Sequence, residues 1–193
     1  MEKKIIKDFE ATFKKSLLND NVKFKKEFLN KFVEKGFPSK KLESWKFSDL
    51  NQIINNNIEN LNFYNDLEKS YEVDQSIYLK NIEHNSMVFV NGRIEEINLK
   101  YKDSKKFKIQ QEIKIENKKF QDNALINLNN AFSLQNFKIS VENNYKVNKP
   151  LIIYHITNSE LNSSNINYQI NFLLEENCSL RVIDIHEDKS EKN

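Results

Sequence analysis

The sequence predicts an α+β protein, with an N-terminal helical domain and linker over residues 1–75 and a β domain over residues 76–193. Three observations carry this. Apolar residues recur at helical spacing from the N-terminus to Ile58. Strand-like alternation dominates after Asn85. Between the second and third helical stretches lies Gly36–Leu50, GFPSKKLESWKFSDL, which holds one of the two glycines, one of the two prolines and the only tryptophan.

Residues 2–18 place Ile5, Ile6, Phe9, Phe13 and Leu17 at steps of three and four, the pattern of an amphipathic helix. Asn19-Asp20-Asn21 breaks it and offers an N-cap. A second helix follows, with Phe24, Phe28 and Phe32 on one face and Gly36 where a terminal left-handed glycine belongs. Pro38 ends that helix and pushes Phe37 toward extended geometry. Residues 39–43 read as a polar turn. Trp45 and Phe47 alternate with Lys46, which predicts an extended piece that packs both aromatics inward. Ser48 is placed to cap a third helix with Leu50, Ile53, Ile54 and Ile58 as its stripe. Residues 59–75 read as a linker.

Met87–Val90, Asn91-Gly92 and Arg93–Ile97 form the strongest short-range hairpin signal in the chain, a type I′ turn between two strands. Phe107, Ile109, Ile113 and Ile115 suggest a further strand or two. Ala124, Leu125, Leu128, Ala131 and Phe132 then share a helical face behind an Asp122 cap. Strands follow at Phe137–Val141, Leu151–Ile156, Ile166–Leu174 and Leu180–Ile185, the last with a corner or bulge expected between Val182 and Ile183. Such spacing suits a sandwich or the sides of a β-solenoid. No Asn-Gly or Asp-Gly follows residue 92, and without hairpin signals the solenoid is preferred.

Composition narrows function more than it names it. The chain has 193 residues, 38% hydrophobic and 30% charged, with a net charge of +2. That is a globular composition with no strong field for a polyanion. Residues 1–50 hold 13 lysines against 8 acids, a net of +5. A solvated helix face is the preferred reading over a nucleic-acid surface, since the chain has only Arg93 and Arg181 to read bases. Cys178 is the sole cysteine, which excludes an intrachain disulfide and a cysteine metal cluster. The N-terminus has no signal-peptide core, and no apolar run approaches the roughly 18 residues of a membrane span. A cytoplasmic location is expected, with no membrane partner.

No motif for catalysis stands out. A glycine-rich phosphate loop, HExxH and CxxC are all lacking. His155 sits in an apolar strand and is read as structural. His186, with Glu187 and Asp188, is the nearest approach to a metal cluster, though a polar tail is the preferred reading. Cys178 is read as a small hydrophobe, since Arg181 three positions on does not by itself activate a thiol. Glu43 and Trp45 are read as stitching helix to sheet. No catalytic, cofactor-binding or metal-ligating residue is assigned.

The Gly36–Leu50 stretch resembles the SufB/SufD family of iron–sulfur cluster assembly proteins, on the SufD side. The residues that carry this are Gly36-Phe37-Pro38, then Lys41-Leu42-Glu43-Ser44-Trp45-Lys46-Phe47-Ser48 and Leu50. Three more matches follow in order: Val88–Gly92; Ala124-Leu125, Leu128-Asn129 and Ala131-Phe132 with Pro150–Ile153; and Leu173–Glu176 through Ser179-Leu180. The resemblance implies an N-terminal helical domain followed by a right-handed parallel β-helix. It implies a scaffold subunit that works with a SufB-like partner and the ATPase SufC, which binds the ATP, while the complex handles a nascent cluster. Family members are about twice this length, and the residues tied to cluster and partners lie in the half without a match here. The chain is therefore expected to be the front portion, from a truncated record or a split gene. As a solenoid it would expose an unprotected end over residues 166–186, prone to dimerise or aggregate. A stand-alone solenoid that binds carbohydrate, with Tyr154 and Tyr168 as its aromatics, is the alternative.

Overall fold

The computed structural model describes residues 2–14, 20–48, 50–57, 62, 70–100, 105–112, 123–161 and 164–189. The chain divides into two compact units. The first comprises Met1–Asn65, Ile113–Leu134 and Ser163–Gln169, and the second Asp66–Glu112, Gln135–Asn162 and Ile170–Asn193.

The first unit is built on helices α1 (Glu2–Phe13), α2 (Asp20–Lys35), α3 (Leu50–Asn57) and α4 (Ala124–Phe132). Its core gathers Ile5, Phe9 and Phe13 of α1, Phe28, Leu29 and Phe32 of α2, and Leu128, Ala131 and Phe132 of α4. These are the i, i+3 and i+4 positions that a 3.6-residue repeat puts on one face. Aromatic edges lock the packing: Phe9 meets Phe132 edge-on at 5.8 Å, and Phe32 meets Phe37 at 4.9 Å. The N–H of Gly36 donates to the carbonyl of Phe32 at 2.7 Å, with φ of +67°. A Cβ there would meet nothing within 4 Å, so the left-handed backbone, not space, calls for glycine. Asn123 caps α4, its side chain accepting from the N–H groups of Leu125 and Ile126. Leu17, Ile58, Ile113, Ile115 and the expected Asp122 cap lie outside the described residues, as does most of the expected linker.

Among the described residues there are seven strands: β1 (Asn85–Val90), β2 (Arg93–Asn98), β3 (Phe107–Glu112), β4 (Gln135–Val141), β5 (Leu151–Asn158), β6 (Tyr168–Leu174) and β7 (Val182–Lys189). They form a four-stranded sheet in the order β2-β1-β5-β7 and a three-stranded sheet in the order β3-β4-β6. The Asn91-Gly92 hairpin forms as expected: Val90 pairs with Arg93, and both turn residues have positive φ. β1 and β5 run parallel, as do β5 and β7, whereas β1–β2 and β3–β4 are antiparallel. One face of the four-stranded sheet buries Val88, Val90, Ile152, Tyr154 and Ile156, with Ile77 and Tyr78 packed on it. On the other face Phe89 meets Phe137 of β4 edge-on at 5.5 Å.

Three expectations are corrected. The protein is a mixed α/β fold with four helices among the described residues and two separate open sheets, not a helical domain followed by a β-helix. A solenoid adds every strand in parallel to a continuing coil, whereas here antiparallel β2 and β3 form the outer strands of two sheets. Alternation along single strands is the same in either architecture, so it could not decide between them. Trp45 and Phe47 do not pack inward in an extended piece. Glu43–Trp45 is a 3₁₀ turn, and Phe47 is 94% exposed. β7 starts at Val182 and has neither corner nor bulge between Val182 and Ile183; it pairs in unbroken register with β5 from Leu151–Val182 to Asn158–Lys189, so His186–Lys189 are strand, not tail.

Candidate functional site

The Gly36–Leu50 stretch lies in the first unit, where it lines a surface groove of about 710 Å³ together with Asn123 and Ala124. Phe37 and Pro38 are buried beneath it, while Leu42, Glu43 and Phe47 face solvent and Trp45 is half-buried. The Lys46 ammonium stands 5.8 Å from the centre of the Phe47 ring. The stretch is anchored at one end by the Phe32–Phe37 contact and displays apolar side chains at the other.

The two downstream histidines come together. β5 and β7 pair His155 with His186, and β1 and β5 pair Phe89 with His155. In-register parallel strands stack equivalent side chains, so the rings form a ladder: Phe89–His155 at 5.6 Å and His155–His186 at 4.4 Å. His155 Nε2 lies 3.2 Å from Asp184 Oδ1 on the same face. Burial pushes the His155 imidazole below its usual range, with the Asp184 carboxylate opposing and His186 assisting. Strand alternation sends Glu187 to the opposite face from His186 and Asp188, so the His-Glu-Asp triplet is not one cluster. Asp188 accepts a hydrogen bond from Thr157 at 3.0 Å, and Glu187 lies 3.5 Å from Lys189. No group of three or more histidine, cysteine or acidic side chains poised to hold a metal occurs among the described residues.

Cys178 sits in a turn at Asn177, whose φ is +53°, and its Sγ lies 2.9 Å from the carbonyl of Glu175. The Arg181 guanidinium donates instead to the carbonyl of Asn148 at 2.6 Å. Tyr154, considered for an aromatic binding row, is only 1% exposed, and Tyr168 is half-buried.

Two perturbed environments were not legible in the sequence. The first surrounds His84, which is buried in the second unit. Its Nδ1 lies 2.6 Å from the carbonyl of Ile82, so the proton sits there and Nε2 accepts from the Tyr154 hydroxyl at 3.0 Å. Tyr78 packs edge-on against Tyr154, and burial with the nearby Glu96 carboxylate pushes its phenol up. Beside this cluster a polar cleft of about 370 Å³ is lined by His84, Ser86, Glu96, Asn98 and Lys100, groups that can hydrogen-bond a small polar molecule. These residues converge from a loop and two strands, and no spacing rule links them.

The second environment is Lys25, whose ammonium donates to the carbonyl of Ser133 at the end of α4 and stands 5.8 Å from the Phe13 ring centre. A cation at a helix C-terminus is favourable, yet burial pushes this amine down from 10.5 to about 8. The folded chain thus releases the proton near pH 8, while the unfolded chain keeps it to near 10.5. Stability contributed by the neutral amine is absent below pH 8 and grows as pH rises from 8 to 10.5. Urea unfolding at pH 7.5 and pH 10 is expected to show a gain of about 2 kcal/mol relative to Lys25→Met. An equal pH response in both proteins would refute the assignment.

Among the described residues, no helix is long and apolar enough to cross a membrane. No family model and no curated protein matches the chain.

Proposed function

We propose that this chain is a non-catalytic scaffold subunit of Suf iron–sulfur cluster assembly, acting in the cytoplasm with a SufB-like partner and the ATPase SufC. The observation that carries the reading is the ordered set of four motif matches that begins with Gly36–Leu50. The reading rests on those residues and does not draw on the β-helix architecture, which the strand pairing overturns. The exposure of the motif's side chains supports it further. Leu42 is 53% exposed and Phe47 94%, at the groove and just beyond it respectively. Large apolar side chains held at the surface suit a contact with another protein better than a core. ATP belongs to SufC in this scheme, and the nascent cluster is cargo of the complex.

Co-expression of the tagged chain with a SufB-like protein and a SufC-like ATPase is the test. Retention is expected to be weak and carried by the exposed Leu42 and Phe47 side chains, since the family's main partner contacts lie in the half without a match here. The double substitution Leu42→Ala with Phe47→Ala is expected to weaken retention by about tenfold without unfolding the chain, since both residues are exposed. Retention that the double substitution leaves unchanged would sink the proposal.

A further inference from the structure

We propose that the groove between α1 and α2 is a docking site for an acidic amphipathic helix of a partner protein. The groove has a volume of about 670 Å³, and both helices contribute to it. Its floor is apolar: Phe9, Val22 and Leu29 form the buried base, and Ile6 and Val33 are half-buried above them. Its rim is basic. Lys7 and Lys14 on one side and Lys23 and Lys26 on the other stand against a single acid, Glu10.

The distribution of charge selects the occupant. Lys7 and Lys14 lie seven residues apart, which on helical geometry separates them by roughly 10 Å along the axis. Lys14 follows the last residue of α1, Lys23 and Lys26 lie in the first two turns of α2, and Lys7 carries positive charge about two turns further along the α1 rim. A single carboxylate head would meet the Lys14, Lys23 and Lys26 group and leave Lys7 without a counter-charge, whereas a helix with acids flanking its apolar stripe meets that group and Lys7 together. A helix is also the convex, elongated body that fits between two others, its anchors at i, i+3, i+4 and i+7 facing the floor. A flat lipid surface does not reach a concave floor, and a nucleic-acid strand leaves the apolar floor uncovered. This inference goes beyond the proposed scaffold role and does not depend on it.

The test uses the full chain and a labelled 18-residue helical peptide with leucines at helical spacing and glutamates elsewhere. Comparators are the same peptide with lysines for glutamates, laurate, anionic phospholipid vesicles and a 20-nucleotide single strand. The acidic peptide is expected to bind at least about tenfold more tightly than the basic one, with an affinity that falls as salt rises. The triple substitution Lys7→Glu, Lys14→Glu and Lys26→Glu places acids on exposed positions and should reverse the preference with the circular dichroism unchanged. Lys→Arg at the same three positions should preserve it. Ile6→Asp should weaken binding of the acidic peptide, with folding checked in the same way. Equal binding of the two peptides, or no response to charge reversal, overturns the proposal. So does saturable binding of laurate, vesicles or the oligonucleotide in place of the acidic peptide.

Discussion

Phe32→Ala is expected to destabilise the helical unit by about 3–5 kcal/mol, the usual cost of emptying a buried aromatic site. Phe32 is 1% exposed and sits among Phe9, Phe28, Leu128 and Phe132. Its ring meets Phe37 edge-on, and its carbonyl accepts from Gly36, so one residue joins the core of α2 to the end of that helix. Truncation removes the transferred area and leaves a cavity that three other helical segments cannot close without shifting. Phe32→Leu should cost less, because most of the volume remains. Phe47→Ala is the internal control: at 94% exposure its change is expected within about 0.5 kcal/mol. Urea titration followed by circular dichroism measures all three. A loss below about 1 kcal/mol for Phe32→Ala would contradict the packing described.

The second large effect is expected at Tyr154. Tyr154→Phe removes one oxygen but breaks two hydrogen bonds, since the hydroxyl donates to His84 Nε2 at 3.0 Å and accepts from the N–H of Leu79 at 3.2 Å. His84 is then left without that contact at a buried position, and Leu79 loses it at a more open one, which together cost about 1–3 kcal/mol. Tyr154→Ala adds the cavity of a ring that is 1% exposed and should cost about 3–5 kcal/mol. His84→Ala combined with Tyr154→Phe should lose less than the sum of the single changes, because both remove the same bond. Strict additivity in that cycle would show that the pair does not interact.

Much of the local structure was legible because local rules govern it. The phenylalanine spacing of α2, the left-handed glycine at position 36 and the Asn-Gly hairpin each depend on a few neighbouring residues, and each formed as the sequence implies. Two further turns, each joining strands of different sheets, are built on asparagine. Asn144 and Asn177 both adopt positive φ, with values of +58° and +53°, in turns that carry no glycine. Asparagine tolerates that region through its short polar side chain, so a search for Asn-Gly and Asp-Gly passes over these turns. The inward packing expected for Trp45 and Phe47 failed for a related reason. Alternation with Lys46 mimics a strand, but three residues are as easily a 3₁₀ turn, and only the surrounding chain decides.

The candidate sites divide in the same way. His155 and His186 lie 31 residues apart and become neighbours only because β5 and β7 pair in parallel register. The His84–Tyr154 bond spans 70 residues, and Lys25 reaches Ser133 across 108. Nothing in a single sequence encodes such pairings except through the fold itself.

The sequence by itself thus determined the elements, because helix and strand follow from periods of 3.6 and 2 that are written into the order of side chains. It also determined the balance of charge and the motif at Gly36–Leu50. Only the tertiary structure decided how the strands divide between two open sheets and which faces of the motif meet solvent. It alone brought the histidines, Tyr154 and Lys25 to their partners. The physical reason is that register and partner choice depend on which surfaces are buried together, a property of the whole packed chain that no local pattern contains.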